Sequence, residues 1–288
     1  MEIIPGDACI GATVHGLDLS LVPTAEQVTA LESVLERYGV LIFPDQVITP
    51  RQQVEFSRAI GEIEINNTVS VATTGFPELA EVGNVGNRPV SFAPAEPDGE
   101  LEWHTDHIQH PVTSKSTLLV AKEVPEKGGD TLFACLYAAY DALSTKDRRR
   151  CDEAVAVHSA SGLREYLARQ GEFDLAEVEL DGESDWVRWP LVRRHPLTER
   201  PALYFAAELT VGIDGWNDGE ARAFIRELTA HTTQPQFVYP HEWKPNQAVL
   251  WDNRRVLHAG TWYDKGRYRR YLLRTMMKEN LGVKGIQN

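Results

Sequence analysis

The 288-residue sequence predicts a mainly β architecture with flanking helices, of the jelly-roll or double-stranded β-helix type. Three observations carry this expectation. From residue 117 onward the chain is a succession of short β-branched or aromatic runs: TLLVAKEV, WVRWPLV, ALYFAAE, QFVYP, AVLWDN, VLHAGTW and RYLLRTMM. Gly, Pro and Asn separate them. Helical periodicity is confined to two early segments and one central one. No internal repeat, low-complexity tract or linker divides the chain, which reads as one domain over residues 1–288.

Taken in order, Thr24 is a helix N-cap with Gln27 three positions on. Val28, Leu31, Val34 and Leu35 follow at helical spacing, and Gly39 ends the helix. VLIFP is then a short buried strand. Thr49-Pro50 opens a second helix with proline at its first position, running to Gly61. Residues 62–100 are rich in Asn, Thr, Gly and Pro around one strand-like piece, LAEVGNV. A loop region of this length is a candidate active-site lid. PEKGGDTLF at 125–133 places a Gly-Gly turn before a strand that begins at Thr131. The central helix spans Asp218 to His231, with Ala221, Phe224, Ile225 and Leu228 on one face.

Composition bounds the function. Hydrophobic residues at 42% and charged residues at 25% describe a globular domain, and no apolar run is long enough for a membrane span. The N-terminal residues lack a basic stretch followed by an apolar one, so no secretory signal is expected. Cys9, Cys135 and Cys151 are odd in number and far apart in sequence, which suggests reduced thiols in a cytoplasmic setting. A net charge of −13 argues against nucleic acid as a partner, and the basic run KDRRR at 146–150 reads as a solvated helix face. An anionic small molecule would need local arginines to be held against such a surface.

Within 102-EWHTDH-107, His104 and Asp106 sit two apart, the spacing that sends both side chains to one face of a strand. His-x-Asp alone is a weak signal. A third ligand would come from His258 in LWDNRRVLHAGTW, and two histidines with one carboxylate form the facial triad of non-haem Fe(II). His107, His110, His158, His195, His231 and His241 read as ordinary hydrogen-bonded histidines. In 267-RYRRYLLRTMM-277, Arg270 and Arg274 share a strand face with Leu272 and Met276. Guanidinium groups among apolar neighbours call for anionic partners.

With these residues in view, the chain resembles the taurine and 2,4-dichlorophenoxyacetate dioxygenase family of Fe(II)/2-oxoglutarate-dependent oxygenases. The likeness runs through GATVHGLDLS, GVLIFPDQ, WHTD, EVPEKGGDTLF, RRHPLTERPALY, WDNRRVLH and RRYLLRT. The resemblance implies an oxidoreductase that hydroxylates, or hydroxylates and fragments, a small organic acid while 2-oxoglutarate and O2 yield succinate and CO2. His104, Asp106 and His258 would hold iron, with Trp103 packing behind them. Thr131 and Arg270 would hold the far carboxylate of 2-oxoglutarate, and Arg274 would lie near its other end or near an acidic group of the substrate. A homodimer or tetramer is expected. Two departures argue against taurine itself. Asn66, Asn67 and Ser70 stand where the taurine enzymes place a His and a Tyr, and Glu100 replaces an Asn. The alternatives are desaturation or cyclisation in natural-product metabolism, a hydrolytic zinc site, and a non-enzymatic metal-binding jelly-roll module.

Overall fold

The computed structural model describes residues 1–65, 75–86, 91–162 and 186–279. Its large sheet has seven strands, in the spatial order β1 (Glu2–Pro5), β2 (Ala12–His15), β3 (Val40–Phe43), β13 (Ala248–Asp252), β5 (Ser114–Glu123), β15 (Tyr271–Lys278) and β4 (Ala80–Gly83). Every pairing is antiparallel except that of β2 with β3. A three-stranded sheet of β12 (Val238–His241), β6 (Thr131–Cys135) and β14 (Val256–Gly260) packs against it, with the Phe133 and Trp251 rings 5.4 Å apart. Two small sheets complete the strands. They are β11 (Thr210–Ile213), β7 (Val155–His158) and β8 (Val187–Pro190), and the pair β10 (Pro201–Leu203) with β9 (Val192–Arg194).

The central strands β3 and β13 are buried on both faces, which explains why they read as unbroken apolar runs. Val40, Ile42, Leu119, Ala121, Val249 and Trp251 point into the core shared with the small sheet. Their neighbours Leu41, Phe43, Leu118, Val120, Ala248 and Leu250 point to the opposite core, under the helices α1 (Ala25–Tyr38) and α2 (Pro50–Ile60). Both helices begin as their sequences dictate. Thr24 and Thr49 each close a capping box with the glutamine three residues on, and Gly39 and Gly61 end them. Gly39 has φ of 72°, a left-handed turn suited to glycine. Inside the second core, α2 reaches β15 through the Gln53 amide, which donates to the Leu273 carbonyl at 2.8 Å, and through a Ser57–Thr275 hydroxyl pair at 2.7 Å.

Several expectations shift. WVRWPLV is two strands rather than one, because Pro190 cannot donate to a ladder and the chain breaks at Leu191. ALYFAAE is a strand only as far as Leu203. The central helix runs Asp218–Thr232. KDRRR lies on a helix, Thr145–Glu153, where Lys146 and Arg149 are exposed and the half-buried Arg150 rests its guanidinium 4.1 Å from the Phe224 ring centre. Within 62–100, β4 is the one strand among the described residues, joined by a single bridge from Ile63 to Met277. Asn66, Asn67 and Ser70 lie outside the described residues. Among the described residues no helix is long and apolar enough to cross a membrane.

Candidate metal and cosubstrate site

His104 is not part of a strand. It forms one isolated bridge with His258, their backbones exchanging hydrogen bonds of 3.0 and 2.8 Å, and the chain then turns. Asp106 stands at the head of this turn, beside the two histidines, and the next residue, His107, takes a left-handed φ of 58° that carries the chain away. The ligand atoms of His104, Asp106 and His258 lie within 4.8 Å of one another, and all three residues are buried. Asp106 Oδ1 is 4.0 Å from His104 Nε2 and 3.9 Å from His258 Nε2. These gaps are too wide for hydrogen bonds. They are also wider than the roughly 3 Å between neighbouring ligands that each stand about 2.0–2.2 Å from one ion, so an ion would draw the three side chains together. His104 Nε2 is buried with no hydrogen-bond partner, so the donor set fits a divalent metal of the non-haem iron kind.

A polar layer orients these side chains. Thr117, on the inner face of β5, donates to Asp106 Oδ2 at 2.6 Å, and the Asn253 amide donates to that hydroxyl at 2.9 Å. Asn253 also accepts from the Trp251 indole at 2.9 Å, while the Thr105 hydroxyl donates to its carbonyl at 2.6 Å. One side chain thus ties β13, β5 and the ligand turn together. The Glu102 carboxylate contacts His104 Nδ1, the carboxylate–histidine arrangement that fixes a ligand's ring. Burial opposes the charged form of His104, yet Glu102 and Asp106 raise it to about 9. Burial and the neighbouring His104 push His258 down to about 3, leaving the neutral imidazole that ligates metals. For Asp106, burial is outweighed by His258, Arg274, His104 and the Thr117 hydroxyl, which hold its carboxyl well below the usual carboxylate range.

Gly128 and Gly129 both have positive φ, 71° and 70°, and a Cβ on Gly128 would sit 2.3 Å from the Trp262 carbonyl oxygen. Only glycine makes this turn. It starts β6 at Thr131, whose buried hydroxyl accepts from the Trp243 indole at 2.9 Å. Arg270, one residue before β15, lies against the same turn. Its Nε donates to the Gly129 carbonyl at 3.0 Å, and its backbone N donates to Asn84 Oδ1 at 2.7 Å. Among the described residues it forms no ion pair, although it is only 6% exposed. Burial brings it down to about 10, against the pull of Tyr263 and Asp130.

Arg274 Nη1 is 3.3 Å from Asp106 Oδ1, so its guanidinium lies against a candidate metal ligand. Its Nε is buried without a hydrogen-bond partner. His107 turns away from the triad, pairs with Glu64 at 2.6 Å and stacks on His110 at 4.5 Å. Sequence reasoning did not single out Glu102, Thr117, Asn253 or Trp243, or the Phe92 ring 5.0 Å from that of His104. Position in WDNR could have flagged Asn253; nothing local marks the others.

A β fold with two packed sheets, an open His–Asp–His cluster and a buried arginine in no ion pair among the described residues fits a metal-dependent oxygenase. Residues 2–276 match the family described as "Taurine catabolism dioxygenase TauD, TfdA family", and the chain belongs to that family. Among curated relatives, the (S)-phenoxypropionate/alpha-ketoglutarate-dioxygenase of Sphingobium herbicidovorans is 34% identical over 91% of this chain and 90% of its own. Pentalenolactone F synthase of Streptomyces arenae is 31% identical over 92% and 91%. The crystal structure of AAD-2 in complex with Mn(II) and N-oxalylglycine superposes with a TM-score of 0.80 at 30% identity, covering 98% of each chain.

Proposed function

We propose that this chain, acting as one oxygenase unit, oxidises a small carboxylate or sulfonate with an apolar or aromatic body. It is an Fe(II)- and 2-oxoglutarate-dependent dioxygenase: the substrate takes up one oxygen atom, and 2-oxoglutarate gives succinate and CO2. His104, Asp106 and His258 would hold the iron, which supplies oxygen activation. Arg270 and Thr131 would grip the far carboxylate of 2-oxoglutarate. The observation that carries this reading is the Arg270 guanidinium, buried beside a glycine turn and in no ion pair among the described residues. A buried cation of this kind is costly unless an anion meets it. What the chain itself does is orient and exclude. Thr117 and Asn253 fix Asp106, Glu102 fixes the His104 ring, and the Phe92 ring stands against His104. The described parts of 62–100 are read as a wall over the site.

The acidic character of the substrate rests on Arg274, whose guanidinium is only partly satisfied by Asp106, and on the phenoxypropionate relative. A second reading, desaturation or cyclisation of a natural product by the same hydrogen abstraction, is favoured by the likeness to pentalenolactone F synthase. The chain is taken to work in the cytoplasm as a homodimer or tetramer, which a solution mass measurement checks. A succinate-release screen of phenoxyalkanoates, sulfonates, sulfate esters and natural-product acids tests the substrate reading. The best acid is then compared with its amide in wild type and Arg274→Gln. Preference for the acid should vanish in the variant; equal loss on acid and amide would assign Arg274 to the cosubstrate or the triad instead.

A further inference from the structure

The sequence spacing of the cysteines suggests isolated thiols, but the fold brings two of them together. Cys135 ends β6, and the antiparallel register that pairs Val238 with Ala134 puts Phe237 alongside it. Cys9, in the segment before β2, donates its thiol to the Phe237 carbonyl at 3.6 Å, and the two thiols are close enough to shift each other's protonation. Arg255 completes the cluster. Its Nη2 lies 4.0 Å from Cys135 Sγ, while Nη1 donates to the Glu36 carbonyl and the guanidinium rests 4.3 Å from the Tyr137 ring centre. The two thiols differ in access, Cys9 being exposed and Cys135 buried. Cys151, also buried, has acidic neighbours and no thiol beside it.

We propose that Cys9 and Cys135 are a redox pair that hydrogen peroxide closes into an intramolecular disulfide. Peroxide reaches the pair from the exposed Cys9 side. At one sulfur a sulfur–oxygen bond forms, the peroxide O–O bond breaks, and the thiol proton leaves with the departing hydroxide as water, giving a sulfenic acid. The other sulfur then attacks that one. The S–S bond forms, the S–O bond breaks, and the hydroxyl leaves with the remaining thiol proton as a second water. Two thiols and one peroxide thus yield one disulfide and two waters. The Cys9 contact and the Arg255 guanidinium, against the effect of burial, lower the Cys135 thiol while the same contact and burial raise that of Cys9, so the pair shares a proton held toward Cys9. The bond would pin the N-terminal segment to the sheet that carries Thr131 and His258, closing a long loop of the unfolded chain.

The test uses the reduced full-length protein, treated with graded hydrogen peroxide, denatured in N-ethylmaleimide and mapped by mass spectrometry without reduction. The peptides holding Cys9 and Cys135 should disappear together and reappear joined, two hydrogens lighter than their sum, while Cys151 is fully alkylated. Oxidation should raise the Tm, and dithiothreitol should return it. In Cys9→Ser, a change at an exposed position, Cys135 should remain alkylatable at the same dose and the Tm should not move. Cys9 carried to a sulfinic or sulfonic acid with Cys135 still free would overturn the proposal. So would a covalent dimer joined through Cys9.

Discussion

The His195–Asp252–Arg254 cluster and the His104–Asp106–His258 cluster with Arg274 draw on the same residue types at similar burial, and both involve the WDNRRVLH segment. In the first, every carboxylate lone pair is spoken for. Asp252 Oδ1 accepts from the Arg254 backbone N and Nε at 3.0 and 2.7 Å, and Oδ2 accepts from Arg254 Nη2 at 2.6 Å and meets His195 Nε2 at 3.0 Å. In the second, Asp106 Oδ1 faces two imidazole nitrogens 3.9 and 4.0 Å away and a 3.3 Å arginine contact. The closed cluster is finished without a ligand. The open one has distances that an ion would bring within bonding range. Burial and residue type do not separate structural from functional charge; unfilled geometry does.

That contrast predicts opposite phenotypes. His104→Ala, Asp106→Ala and His258→Ala should each abolish substrate-dependent succinate release while the circular dichroism spectrum and Tm stay close to wild type. Asp252→Asn should do the reverse. Leaving Arg254 buried without its counter-charge costs about 3–5 kcal/mol, so a denaturant midpoint should fall sharply while activity per folded molecule persists. If the two sets exchange phenotypes, the assignment of open and closed clusters is wrong.

A smaller effect sharpens the cosubstrate half of the open region. Arg270→Gln removes a charge-assisted pair worth about 1.5–3 kcal/mol, so the KM for 2-oxoglutarate should rise at least tenfold. Arg269, exposed and paired with Glu123 at 2.7 Å, is the control, and Arg269→Gln should leave that KM unchanged. The smallest effect belongs to a closed site. His158 is fully buried, hydrogen-bonded through Nδ1 to the Thr210 hydroxyl at 3.1 Å, and burial and then Arg193 push it from 6.5 down to about 3. The unfolded chain binds its proton below pH 6.5 and the folded chain does not until about pH 3. This histidine's neutral burial therefore loses stability as pH falls through that window. A Tm-against-pH series should decline from pH 6.5 to 4, less steeply in His158→Phe.

Much of this was legible in the sequence because it is local. Thr24 and Thr49 announce their helices by capping chemistry, the glycine pair before Thr131 requires its turn, and the unbroken apolar runs VLIF and AVLW match strands covered on both sides. The triad could be nominated from spacing, although His104 sits in an isolated bridge rather than a regular strand and Asp106 opens the turn that follows. The pairing of Arg274 with Asp106, the Asn253 hub and the Cys9–Cys135 contact join residues far apart in sequence. They are consequences of register between strands, which no local pattern records.

The central claim is that the open cluster takes Fe(II) and that 2-oxoglutarate then chelates it beside Arg270. Anaerobic titration of the purified protein with Fe(II) and 2-oxoglutarate tests this most directly. A metal-to-ligand charge-transfer band should grow in the visible spectrum, saturate at one equivalent of iron per chain, and be absent in His258→Ala. Stoichiometric iron uptake without that band, or an unchanged band in His258→Ala, would contradict the account.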